Sequence, residues 1–223
     1  MKNKLLTDAL LKFFSGLILL GLLLFLPAGT MAYAGAWRLM AILFIPMLIF
    51  GTVLFLKNPA LLKKRLNDKE SSSVQKTVIL LSALEFTVCF VVSGLDCRFG
   101  WSHFPKWLIS ASCVLFLASY GLYAEVMREN AYLSRTVEVQ EGQKVVSTGL
   151  YGIVRHPMYF AVVLLFWAMP LVLGSFPAFL VMLPFPLLLV SRIKDEERIL
   201  EERLCGYKEY EKKVKYRLIP FIW

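Results

Sequence analysis

Side chains able to do chemistry gather in two short stretches near the end of the chain. The first, from Gly142 to Tyr159, reads GQKVVSTGLYGIVRHPMY and closes on Arg155-His156-Pro157. Proline is favoured at the first position of a helix, where its missing N–H would be unpaired anyway. His156 is therefore the expected N-cap and Pro157 the first helical residue. That spacing sets Arg155 and His156 beside the amides of a helix start, an arrangement suited to a carboxylate or a phosphate. The second stretch, from Ser191, carries Arg192, Glu196 and Glu197. There Ile193, Leu200, Leu204, Tyr207 and Val214 recur at steps of 7, 4, 3 and 7, which predicts one amphipathic helix over 191–217. Glu196 and Glu197 fall on or beside its apolar face, while Arg198 and Glu202 point outward. A carboxylate aimed into an apolar seam needs a cation or a hydrogen-bond donor to meet it.

The elements that position these residues read as membrane helices. The chain of 223 residues is 58% hydrophobic and only 18% charged, with mean hydropathy +0.63, which excludes an ordinary soluble domain. Four apolar runs precede the first stretch: Ala9 to Leu26, Trp37 to Leu56, Thr77 to Leu95 and Trp107 to Ala124. Each is near the roughly 20 residues that a spanning helix needs. Two more follow, Met158 to Leu173 and Phe176 to Val190, joined only by Gly174-Ser175. They predict a tight hairpin, kinked or shallow because of Pro170, Pro177, Pro184 and Pro186. The expected fold is an all-α polytopic bundle of about six membrane segments with a cytosolic amphipathic C-terminal helix. Its divisions are four N-terminal helices over 1–124 and a functional core over 125–223. The run from Ala9 is long for a signal peptide, and Ala32-Tyr33-Ala34 only imitates a cleavage site. We read it as a first membrane helix, with cleavage the minor alternative.

Basic residues alternate between loops. Lys2, Lys4 and Lys12 mark the start; Lys57, Lys63, Lys64, Arg65, Lys69 and Lys76 the second loop; Arg128, Arg135, Lys144 and Arg155 the fourth. The tail from Arg192 is basic as well. The intervening loops hold Arg38, or Arg98 and Lys106. The positive-inside rule then places both termini and the 142–156 stretch in the cytoplasm. The net charge of +9 follows from that orientation and from anionic lipid, and does not point to nucleic acid. Cys89, Cys97, Cys113 and Cys205 are scattered without metal spacing or histidine companions, so no metal site or disulfide framework is expected and small packing residues are. Ser71-Ser72-Ser73 marks a flexible loop.

Taken together, G-x-x-V-V-S-T-G-L-Y-G-I-V-R-H-P-M-Y, a short hairpin, R-I-K-D-E-E-R-I-L and G-Y-K-E-Y-E-K-K-V resemble the isoprenylcysteine carboxyl methyltransferase family. Phospholipid N-methyltransferases share the general plan. The resemblance covers about Val137 to Phe221. It implies a membrane-embedded enzyme using S-adenosylmethionine without a soluble dinucleotide-type domain, and no G-x-G-x-x-G follows a strand here. It further implies that Gln140, Gln143, Lys144, Val145, Val146, Tyr151, His156, Pro157, Met158, Tyr159 and Glu196 contact the cofactor. Arg192 would contact the substrate, and Arg192, Glu196 and His156 would form the catalytic group. The substrate would be a lipophilic acceptor arriving from the bilayer, first an isoprenylcysteine-like carboxylate, next a phospholipid amine or small thiol. The membrane would be the plasma membrane of a prokaryote or the endoplasmic reticulum of a eukaryote. Met158, Ala161 and Lys215 depart from the family's usual residues.

Physical chemistry supports such roles independently. A cofactor carboxylate suits the helix start at His156 and Pro157, a glutamate suits hydroxyl or amino donors, and the faces of Tyr151 and Tyr159 suit a sulfonium cation. A carboxylate acceptor needs no general base. An amine or thiol would, with His156 or Glu197 as the candidates. Among structural alternatives, Arg155 is about equally a headgroup anchor, Tyr207 and Tyr210 are packing residues, and Glu196 is weighted over Glu197 as a site residue. Glu85 stands inside the third helix, where a carboxyl is costly, and no motif supports it. Trp37, Trp101, Trp107 and Trp223 fit an interfacial belt. Two rival functions remain. Membrane sterol reductases, which use NADPH, share E-E-x-x-L, Y-x-x-Y and an ending like Tyr216-Arg217-Leu218-Ile219-Pro220. The other rival is a non-catalytic module binding lipid through basic loops.

Overall fold

A computed structural model describes residues 2–66, 72–133 and 139–223. Lys69, Ser71, Arg135 and Val137, used in the sequence reading, lie outside the described residues. The described chain forms α1 (Lys2–Ala28), α2 (Ala34–Lys57), α3 (Pro59–Leu66), α4 (Ser73–Phe99) and α5 (Lys106–Glu129). A 3-10 turn (Gly149–Gly152) follows, then α6 (Pro157–Leu173), α7 (Phe176–Met182), α8 (Phe185–Arg203) and α9 (Tyr207–Lys213). Among the described residues, five helices are long and apolar enough to cross a membrane, counting α7 and α8 together as Phe176–Arg203. The protein is an all-α integral membrane protein.

The expected sixth segment is α6, and it differs from the others in kind. Its 17 residues span about 25 Å, short of the roughly 30 Å hydrocarbon core. It packs against α2, α4, α5, α7 and α8, and Tyr159, Ala161, Val163, Leu165, Ala168, Met169 and Val172 are all buried. A helix that is apolar all round belongs inside a bundle, so α6 is the central post rather than a lipid-facing wall. Both of its ends are tied by other segments. Tyr33 Oη donates to Leu173 O at 3.0 Å and Arg38 Nη2 to Val172 O at 3.3 Å. At the other end Arg155 N donates to Tyr216 O at 2.9 Å and His156 N to Arg217 O at 2.8 Å.

Gly174 and Ser175 turn the chain from α6 into α7, as the sequence predicts. The prolines act at the α7–α8 junction. Pro186 has no N–H for the carbonyl of Met182, and Trp167 Nε1 donates to that oxygen instead, at 3.0 Å. Beyond it α8 runs unbroken from the apolar half into the polar tail. The single tail helix expected over 191–217 is therefore divided. Its first part is the end of α8, and Gly206, at φ +84°, turns the chain into the separate α9 in a conformation only glycine adopts without strain. Other expectations also change. Cys89 is a buried packing residue, but Cys97 and Cys205 are exposed. Trp223 lies 5.5 Å from the Arg217 guanidinium and packs on the core. Glu85 is half-buried on α4, and its Oε1 has no partner among the described residues.

Candidate functional site

Where the α5 C-terminus, the 139–156 segment, the start of α6, α8 and α9 converge, they line an open cleft. Of the residues expected in a site, Gln143, Lys144, Val145, Val146, Tyr151, His156, Met158, Tyr159, Arg192 and Glu196 line it. Gln140 and Pro157 do not. Pro157 is buried at the first position of α6. Gln140 braces the segment from behind: its Nε2 donates to Tyr132 O at 2.7 Å, its N–H to Gln143 Oε1 at 2.9 Å, and its Oε1 accepts from Lys64 Nζ.

The cleft wall carries a three-residue relay. Arg192 and Glu196 are one turn apart on α8 and so share a face. Tyr159, in the first turn of α6, stands between them. Arg192 Nε donates to Tyr159 Oη at 2.9 Å, and Tyr159 Oη donates to Glu196 Oε2 at 2.5 Å. The phenol is engaged in both directions, which fixes the guanidinium and the carboxylate at a set separation.

Glu197, one residue on, points elsewhere. Its side chain is 3% exposed and lies 2.7 Å from Arg155 Nε, 2.6 Å from Arg217 Nε and 3.1 Å from His156 Nε2. With its carboxylate between two guanidiniums, His156 Nε2 is the donor. Arg155 also donates to Val214 O at 3.1 Å and approaches Glu211 at 3.4 Å. Burial works against the charged guanidinium, but the Glu197 carboxylate outweighs it and holds Arg155 above its usual range. Arg155 is thus a buried tie between α8, α9 and the tail, which removes the headgroup-anchor alternative. The amides at the α6 start are also less available than expected. Pro157 has none, and those of Tyr159 and Phe160 donate to His156 O at 3.1 and 3.3 Å.

Two further braces escaped the sequence reading. Asp195, buried on α8, accepts from Ser72 Oγ at 2.8 Å, Gln75 Nε2 at 3.0 Å and Arg198 Nη2 at 2.8 Å. Gln75 Nε2 also reaches Arg192 O at 3.2 Å. The start of α4 thereby holds the turn of α8 that carries Arg192 and Glu196. Its only signal in the sequence was a polar Ser72-x-x-Gln75 at a helix start, which reads as an ordinary cap. On the opposite wall, Gly149 has φ +54°, and a Cβ there would lie 1.4 Å from Glu129 Oε1. Only glycine lets Glu129 reach Leu150 N, at 3.0 Å. Next to it Asn130 Nδ2 donates to Tyr151 Oη at 3.0 Å, and Tyr210 Oη to Tyr151 O at 2.7 Å. Burial pushes the Tyr151 phenol up to about 12, so it stays neutral.

Tyr207 also lines the cleft, is 4% exposed, and its Oη has no hydrogen-bond partner among the described residues. Burial, with Glu197 and Glu196 nearby, raises its phenol as well. Buried hydroxyls in folded proteins are almost always satisfied. The packing role expected from sequence leaves this one unexplained.

Residues 107–205 match the family model described as phospholipid methyltransferase. The chain is also similar to Delta(14)-sterol reductases. The Mus musculus protein is 33% identical over 91 residues, covering 40% of this chain and 22% of the relative. That of Methylotuvimicrobium alcaliphilum is 27% identical over 134 residues, 53% of this chain and 31% of the relative. The Schizosaccharomyces pombe protein is 27% identical over 124 residues, 50% and 29% respectively. The chain thus spans less than a third of the length of these curated relatives.

Proposed function

We propose that this protein is a membrane methyltransferase that uses S-adenosylmethionine and acts on the carboxylate of a lipophilic, isoprenylcysteine-like acceptor. One observation carries this assignment. The Arg192–Tyr159–Glu196 relay, the 143–146 strip and His156 stand together on one open cleft, all inside the segment matched to the phospholipid methyltransferase family.

The residues present fit the cofactor. The orphaned Tyr207 hydroxyl is a donor that lacks an acceptor, Glu196 accepts from hydroxyl or amino groups, and the Tyr151 and Tyr159 rings offer π-faces to a cation. When bound, the cofactor supplies a methyl group on a cationic sulfur, an electrophile that needs alignment more than acid catalysis. Arg192 would hold the acceptor carboxylate, and its direction is set by the bond from its Nε to Tyr159. The engagement of Glu197 in a buried ion-pair network leaves it badly placed to take a proton, so an amine or thiol would depend on His156 Nδ1 alone, whereas a carboxylate needs no base. That favours an acceptor already ionised over an amine or thiol. On this reading the cleft and both termini face the cytosol, at a prokaryotic plasma membrane or the endoplasmic reticulum.

A second reading, an NADPH-dependent sterol-type reductase, is favoured by the similarity to the three Delta(14)-sterol reductases. Calorimetry on detergent-purified protein separates them. We expect S-adenosylmethionine to bind the wild type, and Glu196→Ala to weaken it at least tenfold while the protein stays folded. His156→Ala should lower both binding and stability, because His156 also supports Glu197. NADPH binding without S-adenosylmethionine binding would decide for the reductase. Absence of both, in folded protein, would leave the non-catalytic lipid-binding module.

A further inference from the structure

A second cavity, of about 420 Å³, lies between α1, α2, α3 and α5, among walls such as Leu10, Phe13, Leu48 and Phe55. Nearly all of its lining is in membrane-spanning stretches, so it opens towards lipid tails. An apolar hollow of this size does not stay empty in a bilayer, since its walls would forgo all their dispersion contacts. Gly51, on its wall, leaves room: a Cβ there would meet nothing within 4 Å.

The end of the groove is basic. It is closed by α3, whose last turn carries Lys63, Lys64 and Arg65 and whose sequence, PALLKKRL, has no acid. Arg65 lines the groove and its guanidinium lies 5.3 Å from the ring centroid of Tyr123 on α5. From α1, Lys12 Nζ donates to Leu66 O at 2.6 Å, which brings a second cation to the same corner. Asp8, one turn before Lys12, is the single acidic residue of α1. An apolar slot ending in cations at the bilayer surface matches an acyl chain ending in an anionic headgroup.

We propose that this groove is a binding site for an anionic phospholipid of the surrounding leaflet, one acyl chain lying along α1, α2 and α5 and its phosphate against Arg65. The site is separate from the cleft, and its occupant is a component of the membrane rather than the methyl acceptor. It stands whichever reaction the cleft performs.

The test is native mass spectrometry of the full chain in detergent with an equimolar mixture of phosphatidylglycerol and phosphatidylcholine of matched chains. Phosphatidylglycerol has no amine to methylate, so its retention reports a site and not turnover. The expected result is one tightly held lipid, predominantly phosphatidylglycerol. Arg65→Gln should lower that preference about fivefold, the equivalent of the roughly 1 kcal/mol of one basic group at an anionic surface. Gly51→Phe, which fills the slot, should abolish retention of both lipids while the unfolding temperature measured in detergent alone is unchanged. Lys106→Gln, at the other end of the bundle, should change nothing. Equal retention of the two lipids by the wild type, or wild-type retention by Gly51→Phe, would overturn the site. So would a groove closed by a second copy, seen as a dimer that Gly51→Phe dissociates. Should Gly51→Phe fail to fold, the Arg65→Gln comparison decides alone.

Discussion

Two neighbouring glutamates allow the architecture to be tested against the site. Changing Glu197 to Gln keeps the shape of the side chain and removes its charge. Arg155, 6% exposed and 2.7 Å from that carboxylate, then carries a buried charge without its main counter-ion. Removing one partner of a buried pair costs about 3–5 kcal/mol. Arg155 retains Glu211 at 3.4 Å and the carbonyls of Val214 and Lys215 at 3.1 and 3.4 Å, and glutamine keeps one acceptor. The lower end, about 3 kcal/mol, therefore applies. At roughly 2–4 °C per kcal/mol for a chain of this size, the unfolding temperature should fall by about 6–12 °C. Glu196→Gln removes a charge at the half-exposed cleft wall and keeps an acceptor for Tyr159, so it should cost no more than about 1 kcal/mol. Thermal unfolding in detergent, paired with S-adenosylmethionine calorimetry, reads both axes. Glu197→Gln should lose stability foremost, and Glu196→Gln affinity foremost. The combined Arg155→Met and Glu197→Leu variant should unfold at a higher temperature than the summed single losses imply. An unfolding temperature for Glu197→Gln within about 2 °C of wild type, or a larger loss for Glu196→Gln, would refute this division of roles.

Other outcomes follow from the same contacts. Tyr207→Phe removes a buried hydroxyl without a partner, whose burial costs about 1–3 kcal/mol. The unliganded protein should become more stable while S-adenosylmethionine binding weakens about tenfold, equivalent to ~1.4 kcal/mol; a stability loss would show that the hydroxyl is satisfied within the protein. Gly149→Ala forces a Cβ against Glu129 in a left-handed backbone and should cost roughly 2 kcal/mol, read as a lower unfolding temperature. Asp195→Asn weakens the tie between α4 and α8, and hydrogen exchange should quicken at residues 72–76 and 192–196; unchanged protection there would exclude Asp195 as a brace.

Much of this was legible in one dimension. Membrane helices announce themselves by length and hydropathy, and the hairpin by Gly174-Ser175. The cleft residues stood out because Arg192 and Glu196 are one turn apart, and because His156-Pro157 marks a helix start. The braces were less legible. Ser72 and Gln75 stand more than a hundred residues from Asp195 and look like an ordinary cap, as Asp195 looks like an ordinary surface acid. Gly149 looked like any turn glycine until Glu129 was found against it. The even weighting of Arg155 failed because its burial depends on the tail folding back over α6, which local pattern does not encode.

Sequence alone determined that the protein is a helical membrane bundle and pointed to the stretches after residue 140 as its candidate site, since both follow from composition and short-range spacing. The sequence already weighted Glu196 over Glu197, but only the tertiary structure supplied the partner of each glutamate. Successive helical residues point about 100° apart, so Glu196 meets Tyr159 while Glu197 meets Arg155, His156 and Arg217. Those partners come from segments 20 to 42 positions away in the chain, and the direction in which each carboxylate finds its counter-charge is set by the packing of α6, α8 and the tail.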